Sequence, residues 1–185
     1  MLRETPLHAQ QAQQRATNIL NAVVEGATDA IYLKDAAGHY LMINSAGAAV
    51  MGRLPEQVIG KTVQEMFNAE TAQQLIADDA RVLEHGTIET VENNIQSPRG
   101  SRIFQSVKAP WRNSAGEVIG TIGISRDVTE LREAQMVLAR QAALLDLSPD
   151  ALIVRNMDGN IIFWSRGASQ LYGWTAHEAL GHTTH

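Results

Sequence analysis

Residues 29–44 read DAIYLKDAAGHYLMIN, and the same pattern returns at residues 150–165 as DALIVRNMDGNIIFWS. Two short apolar runs flank a turn, Asp35-Ala-Ala-Gly38, in which Gly38 supplies the backbone freedom of a tight reversal, so the stretch is a β-hairpin. The offset between copies is 121 residues and holds without a gap: Asp29 pairs with Asp150, Gly38 with Gly159, Gly52 with Gly173, Gly60 with Gly181 and Thr62 with Thr183. Three glycines in register across a hairpin and two helical turns mark an internal repeat. The first copy continues to about Asp127 and the second stops at His185, so the chain is expected to hold one complete unit and the opening of another. That opening, without a long helix and later strands, has little core of its own and is expected to pack on the first unit or on a partner chain, or to be loosely ordered.

Working outward, the run HAQQAQQRATNILNAVVEGA before the hairpin reads as a helix whose apolar residues gather at Ile19, Leu20, Val23 and Val24. After the hairpin come short helical pieces broken by Gly52, Pro55 and Gly60. A longer helix over 70–85 follows, with Leu75, Ile76, Ala80, Val82 and Leu83 on its buried side and Gly86 as its stop. Three strands complete the unit, TIETVENNIQ, RIFQSVKAPW and EVIGTIGISR, joined by turns at Pro98-Arg99-Gly100 and 113–116. The class is α+β: an antiparallel sheet with helices inserted between its second and third strands, flanked by N-terminal and C-terminal linker helices.

The last strand runs into a charged helix with almost no loop. Asp127 stands at the N-cap with Glu130 three residues on, the spacing of a capping box. Beyond it Leu131, Ala134, Leu138, Ala142 and Leu145 recur every three or four residues, with Val137 and Leu144 alongside, until Ser148-Pro149. The stripe fits a helix pairing with its own copy as a coiled coil, or one folding back on its own domain. The expected organisation is an N-terminal helical linker over 1–21, a complete domain over 22–127, a coiled-coil-like helix over 128–148 and the start of a second domain over 149–185.

The 185 residues are 44% hydrophobic and 19% charged, with a formal net charge of −5 and no cysteine. That balance gives no basic footprint for nucleic acid or an anionic membrane surface, and the N-terminus has no apolar signal core. The cytoplasm is the default. Absence of cysteine excludes disulfides, thiol nucleophiles and cysteinyl-flavin photochemistry. Catalytic patterns are poor. HEALGH spaces His177 and His182 by five residues rather than the four of a zinc protease, and His182 with His185 lacks a third ligand nearby. No P-loop, kinase phosphoacceptor segment or ATP-binding glycine box is present.

Gly60-Lys61-Thr62, Glu65, Phe67, VLEHG, the turn from Pro110 to Gly116, GEVIGTIGISRDVTE and the unit length together resemble a PAS sensor domain with its PAC segment. Asp127-Val128-Thr129 falls on that family's terminal Asp-Ile/Val-Thr motif. The resemblance implies a five-stranded antiparallel sheet in the order 2-1-5-4-3, helices over one face and a small-molecule cavity between. It also implies a sensing and dimerisation role with an output domain outside this chain, often a histidine kinase or a cyclic-dinucleotide enzyme. On it, Thr121, Gly123 and Ser125 face the cavity, joined by Phe104, Ser106, Asn94 and Tyr32; Asp127, Val128, Thr129 and Glu130 relay the signal. The alternative filling of that cavity is protein itself, through Leu75, Met66 and Phe67. His85 is the one haem-ligand candidate, with a solvated helix-end histidine as the plainer reading. Non-covalent FAD beside Trp111 is the other cofactor considered; the sequence requires none. The expected chain is thus a non-enzymatic, homodimeric module with a ligand to be found. A ligand-free scaffold and a metal hydrolase using His177, His182 and His185 are the competing readings.

Overall fold

A computed structural model describes residues 6–146 and 150–183, with side chains described at 10–141, 143 and 150–183. Ser148, Pro149 and His185, and the side chains of Ala142, Leu144 and Leu145, lie outside the described residues. The chain forms two compact units, residues 1–129 and 130–185.

The first unit opens with α1 (Pro6–Glu25), then β1 (Ala30–Asp35) and β2 (Tyr40–Ile43). Three short helices follow: α2 (Ser45–Val50), α3 (Pro55–Val58) and α4 (Val63–Met66). The long α5 (Ala69–His85) leads into β3 (Glu89–Ser97), β4 (Gly100–Arg112) and β5 (Val118–Asp127). The strand pairs of this sheet are antiparallel, and its order is β2-β1-β5-β4-β3, as the resemblance implies. Period-2 alternation sends Ala30, Tyr32 and Lys34 of β1, and Phe104, Ser106 and Lys108 of β4, to the helix-covered face. The core there joins Tyr32, Tyr40, Val58, Leu75, Ile95 and Phe104, among others. Full burial of a side chain such as Val58 contributes about 1.5–3 kcal/mol.

Asn68 starts α5 by accepting the Thr71 amide, and Gly86 ends it at φ 65°. Its buried face departs from the expectation. Thr71, Ala72, Leu75, Asp78, Asp79 and Val82 are inside, while Ile76 is 38% exposed and Ala80 faces outward. Two carboxylates thus occupy places expected to be aliphatic, because cations wait for them on the sheet.

The second unit takes in all but the first residue of α6 (Thr129–Asp146), followed by β6 (Ile153–Arg155), β7 (Ile161–Trp164), α7 (Arg166–Tyr172) and α8 (Ala176–Ala179). Its hairpin and two short helices enclose Ile161, Trp164, Ala168 and Ala179. The repeat extends to backbone detail. Tyr40 N–H donates to Lys61 O and Ile161 N–H to His182 O, each at 2.9 Å, and Gly38 and Gly159 turn at φ 89° and 85°. Only glycine adopts that backbone without strain.

Candidate functional site

The inner faces of β1, β4 and β5 and the helices over them leave a cavity of about 50 Å³. That is room for a few water molecules and far below the roughly 300–1,000 Å³ of pockets for drug-sized ligands. Tyr32, Phe104, Ser106 and Ser125 line it, together with Lys34, Tyr40, Ile43, Met51, Phe67 and Leu75. The Ser106 and Ser125 hydroxyls are 2.7 Å apart and hydrogen-bonded. Sequence reasoning therefore brings four of its seven candidates to the cavity.

The other three lie elsewhere. Asn94 is on the exposed face of β3, bonded to the Ser101 hydroxyl; its neighbour Asn93 points inward and donates to Asp78 Oδ2 at 2.7 Å. The expected parity of that strand was off by one residue. Gly123 leaves space for a ring rather than a ligand: a Cβ there would stand 2.1 Å from Tyr32 Cζ. Thr121 is 1% exposed, its hydroxyl has no hydrogen-bond partner among the described residues, and it borders a separate groove with Asp35, Val63 and Asp79. His85 is exposed at the end of α5 and does not line the cavity.

Beneath α5 lies a set of charges that the sequence reading missed. Lys34 and Lys108 are 2% and 0% exposed and share Asp79. Lys34 Nζ donates to Oδ2 at 2.7 Å, and Lys108 Nζ to Oδ1 at 2.6 Å and to Leu75 O at 3.3 Å. Asp78 Oδ2 stands 3.8 Å from Lys108 Nζ, while Asp78 Oδ1 accepts from Arg81 Nη2 at 2.7 Å. Arg81 Nε reaches Glu89 at 2.9 Å. Burial works against the Asp79 carboxylate, but Lys34 and Lys108 outweigh it and hold it below its ordinary value. Burial lowers the Lys34 ammonium despite Asp79. Lys108 is also penalised by burial, yet the Asp79 and Asp78 carboxylates keep its proton above the ordinary range. Burial raises the Tyr32 and Tyr40 phenols, so both stay protonated. The signal for this cluster was present: Lys34 is two residues beyond Tyr32, and Lys108 two beyond Ser106, on strands that alternate.

At the end of β5, Asp127 Oδ1 accepts the Thr129 amide at 2.9 Å, and Ile103 N–H donates to the Thr129 hydroxyl at 2.9 Å. Val128 N–H donates to Ile103 O at 2.8 Å. Val128 and Thr129 are buried, whereas Asp127 and Glu130 are exposed. The first amide of α6 is thus accepted by Asp127, in line with the cap that its place in the sequence suggests, while the Thr129 hydroxyl ties the start of the helix to β4. Among the described residues no group of three or more histidine and carboxylate side chains could hold a metal, and no helix is long and apolar enough to cross a membrane.

A five-stranded antiparallel sheet, crossed by short helices and one long one over a small cavity, defines an α+β domain. The family model described as the PAS fold matches residues 24–133, and one described as a PAS domain matches 139–185. The chain belongs to the PAS family. It is 32% identical over 130 residues to the methanogenesis regulatory histidine kinase FilI of Methanothrix harundinacea (strain 6Ac), a match covering 70% of this chain and 15% of that protein. A diguanylate cyclase of Vibrio cholerae is 32% identical over 123 residues, 63% of this chain and 38% of that protein. The structure of VqmA bound to DPO superposes with a TM-score of 0.55 at 26% identity, over 60% of this chain and 57% of that one. The chain therefore spans well under half the length of these two curated relatives. Both matched segments are PAS segments, and the chain is a signal-sensing PAS module.

Proposed function

We propose that the first unit senses a small molecule in its cavity and passes the change through Asp127-Val128-Thr129 to α6, within a cytoplasmic homodimer belonging to a sensor histidine kinase. One observation carries the reading: the cavity wall and the junction are the same few residues of chain. Ser125 lines the cavity two residues before Asp127, and Phe104 lines it next to Ile103, which holds both Val128 and Thr129. A ligand that shifts β4 against β5 would strain that clasp, and β5 is followed after one residue by a helix, leaving no slack to absorb the shift.

Pairing through the flanking helices is supported by their apolar surface. Ile19, Leu20 and Val23 of α1 are 55–67% exposed, and Leu131, Val137 and Leu138 of α6 are 54–66% exposed. The net charge of −5 disfavours nucleic acid as the partner. The chain supplies no catalytic step of its own, and kinase or cyclase chemistry belongs to an output domain. A ligand-free interaction scaffold is the second reading, favoured by the small cavity.

Native mass spectrometry of the freshly purified full chain, set against its denatured mass, tests the proposal. A dimer carrying a small extra mass that is lost on denaturation is expected. A bare dimer would favour the scaffold, and a bare monomer would overturn both sensing and pairing.

A further inference from the structure

The charges beneath α5 form one alternating line from the surface inward: Glu89, Arg81, Asp78, Lys108, Asp79, Lys34. Each interior member meets opposite charge on both sides. At the outer end, the Glu89 side chain is 21% exposed and has water to complete its shell. At the inner end Lys34 is 2% exposed, and among the described residues its ammonium donates only to Asp79. An ammonium has three N–H donors. Nζ also stands 5.0 and 4.8 Å from the rings of Tyr32 and Tyr40, which attract a cation but accept no full hydrogen bond.

Lys34 lines the cavity, and so do the hydroxyl-bearing Tyr32, Tyr40, Ser106 and Ser125; no carboxylate does. The cavity is therefore lined by hydroxyls, which both donate and accept, and closed at one end by an ammonium that shares its one carboxylate, Asp79, with Lys108 and keeps N–H donors free. A buried charge so placed is costly until an anion meets it. The rest of the wall, including Ile43, Met51, Phe67 and Leu75, is apolar.

We propose that the cavity of the first unit takes a short-chain monocarboxylate, its carboxylate against Lys34 Nζ and the Ser106–Ser125 hydroxyls and its alkyl end against Met51 and Phe67. The inference rests on the sensing role proposed above and names the class of ligand. The three cations and three carboxylates of the line balance, so one negative charge is the most the free N–H donors of Lys34 can meet, as a charge-assisted hydrogen bond; a dicarboxylate or a phosphate would bring a second charge with nothing to meet it. A volume of about 50 Å³ limits the chain to a few carbons.

The test titrates the full-length chain with acetate, propanoate and butanoate, and in parallel with acetamide and propanamide, at fixed pH and with chloride balancing ionic strength. Amide chemical shifts of Tyr32, Ser106 and Ser125 report occupancy. Saturable shifts are expected for at least one carboxylate, with the amide of equal length weaker by about tenfold or more, the value of a charge-assisted hydrogen bond. Lys34→Met is expected to lose carboxylate binding to the same degree; should that variant not fold, the carboxylate-to-amide ratio in the unaltered protein decides alone. Equal binding of the amides, or carboxylate binding that survives Lys34→Met, would overturn the inference and leave the sensing role standing. No saturable shift with any probe would also overturn it. In that case the native mass of the isolated protein decides the wider reading: a retained small molecule keeps the sensing role, and a bare mass removes it.

Discussion

In the first hairpin Asp35 accepts the amides of Ala37 and His39. In the second, Asn156 accepts those of Asp158 and Asn160. Asn44 closes the first hairpin by taking the Ile31 and Gly47 amides, and Ser165 closes the second by taking those of Leu152 and Ala168. Both hairpins slip register at the same place, between Leu33 and Lys34 and between Val154 and Arg155. The inward side chains diverge: Tyr32, Lys34 and Tyr40 stand in the first unit where Ile153, Arg155 and Ile161 stand in the second. Lys34 is buried on Asp79, while Arg155 is exposed. The repeated parts are those the turn geometry demands. The parts that differ are those that give the first unit its charged, hydroxyl-lined interior.

The sharpest way to break this contrast is Asp79→Ala, which strands two buried lysines on one missing carboxylate. A loss of about 3–5 kcal/mol in the first unit is expected, read as faster amide exchange across β1, β4 and β5. Arg155→Ala, at the position matching Lys34, is expected to stay within about 0.5 kcal/mol. Comparable losses in both would mean the ionic line is no special feature of the first unit. Acid gives the same information without mutation. The Asp79 carboxyl titrates below its ordinary value of 3.8 in the folded chain, so its contribution is complete above that value and disappears as pH falls through the depressed one. Amide exchange in the first unit is expected to rise through that interval, and Asp79→Asn to remove this step.

Smaller effects sharpen the comparison at the caps. Asn44 also donates to Val24 O and Asp29 O, whereas Ser165 donates to Asp150 O alone. Asn44→Ala is expected to cost about 2 kcal/mol and Ser165→Ala about 1, followed by urea denaturation with unit-resolved amide exchange. Gly38→Ala and Gly159→Ala should each cost about 1 kcal/mol, because both force a side chain into the left-handed region. Unequal values there would show that the two turns are not equivalent.

Most of the architecture was legible because it is local. Strand alternation, the Asp35 and Asn113 turns, the Gly86 stop and the 121-residue repeat are properties of neighbouring residues. The ionic line was not, because its members come from β1, α5, β3 and β4 and become partners only once α5 lies on the sheet. Asp78 and Asp79 look like a solvated pair until Lys34 and Lys108 face them. Asn94 was misassigned for a related reason: β3 carries polar residues on both faces, and only the apolar pair Val91 and Ile95 marks which parity turns inward. Gly123 was rightly placed on the inner face, but the ring it admits is fixed by the register that sets Tyr32 opposite it.

The claim at the centre of this account is that the cavity and the α6 junction move together. Amide exchange at Val128 and Thr129 in a Ser125→Val variant tests it most directly, since the substitution alters the cavity wall and touches neither amide. A change of about tenfold in exchange is expected at both positions, roughly 1.4 kcal/mol in the clasp, with the β6–β7 hairpin unaffected. Altered exchange along β4 and β5 with Val128 and Thr129 unchanged would contradict it.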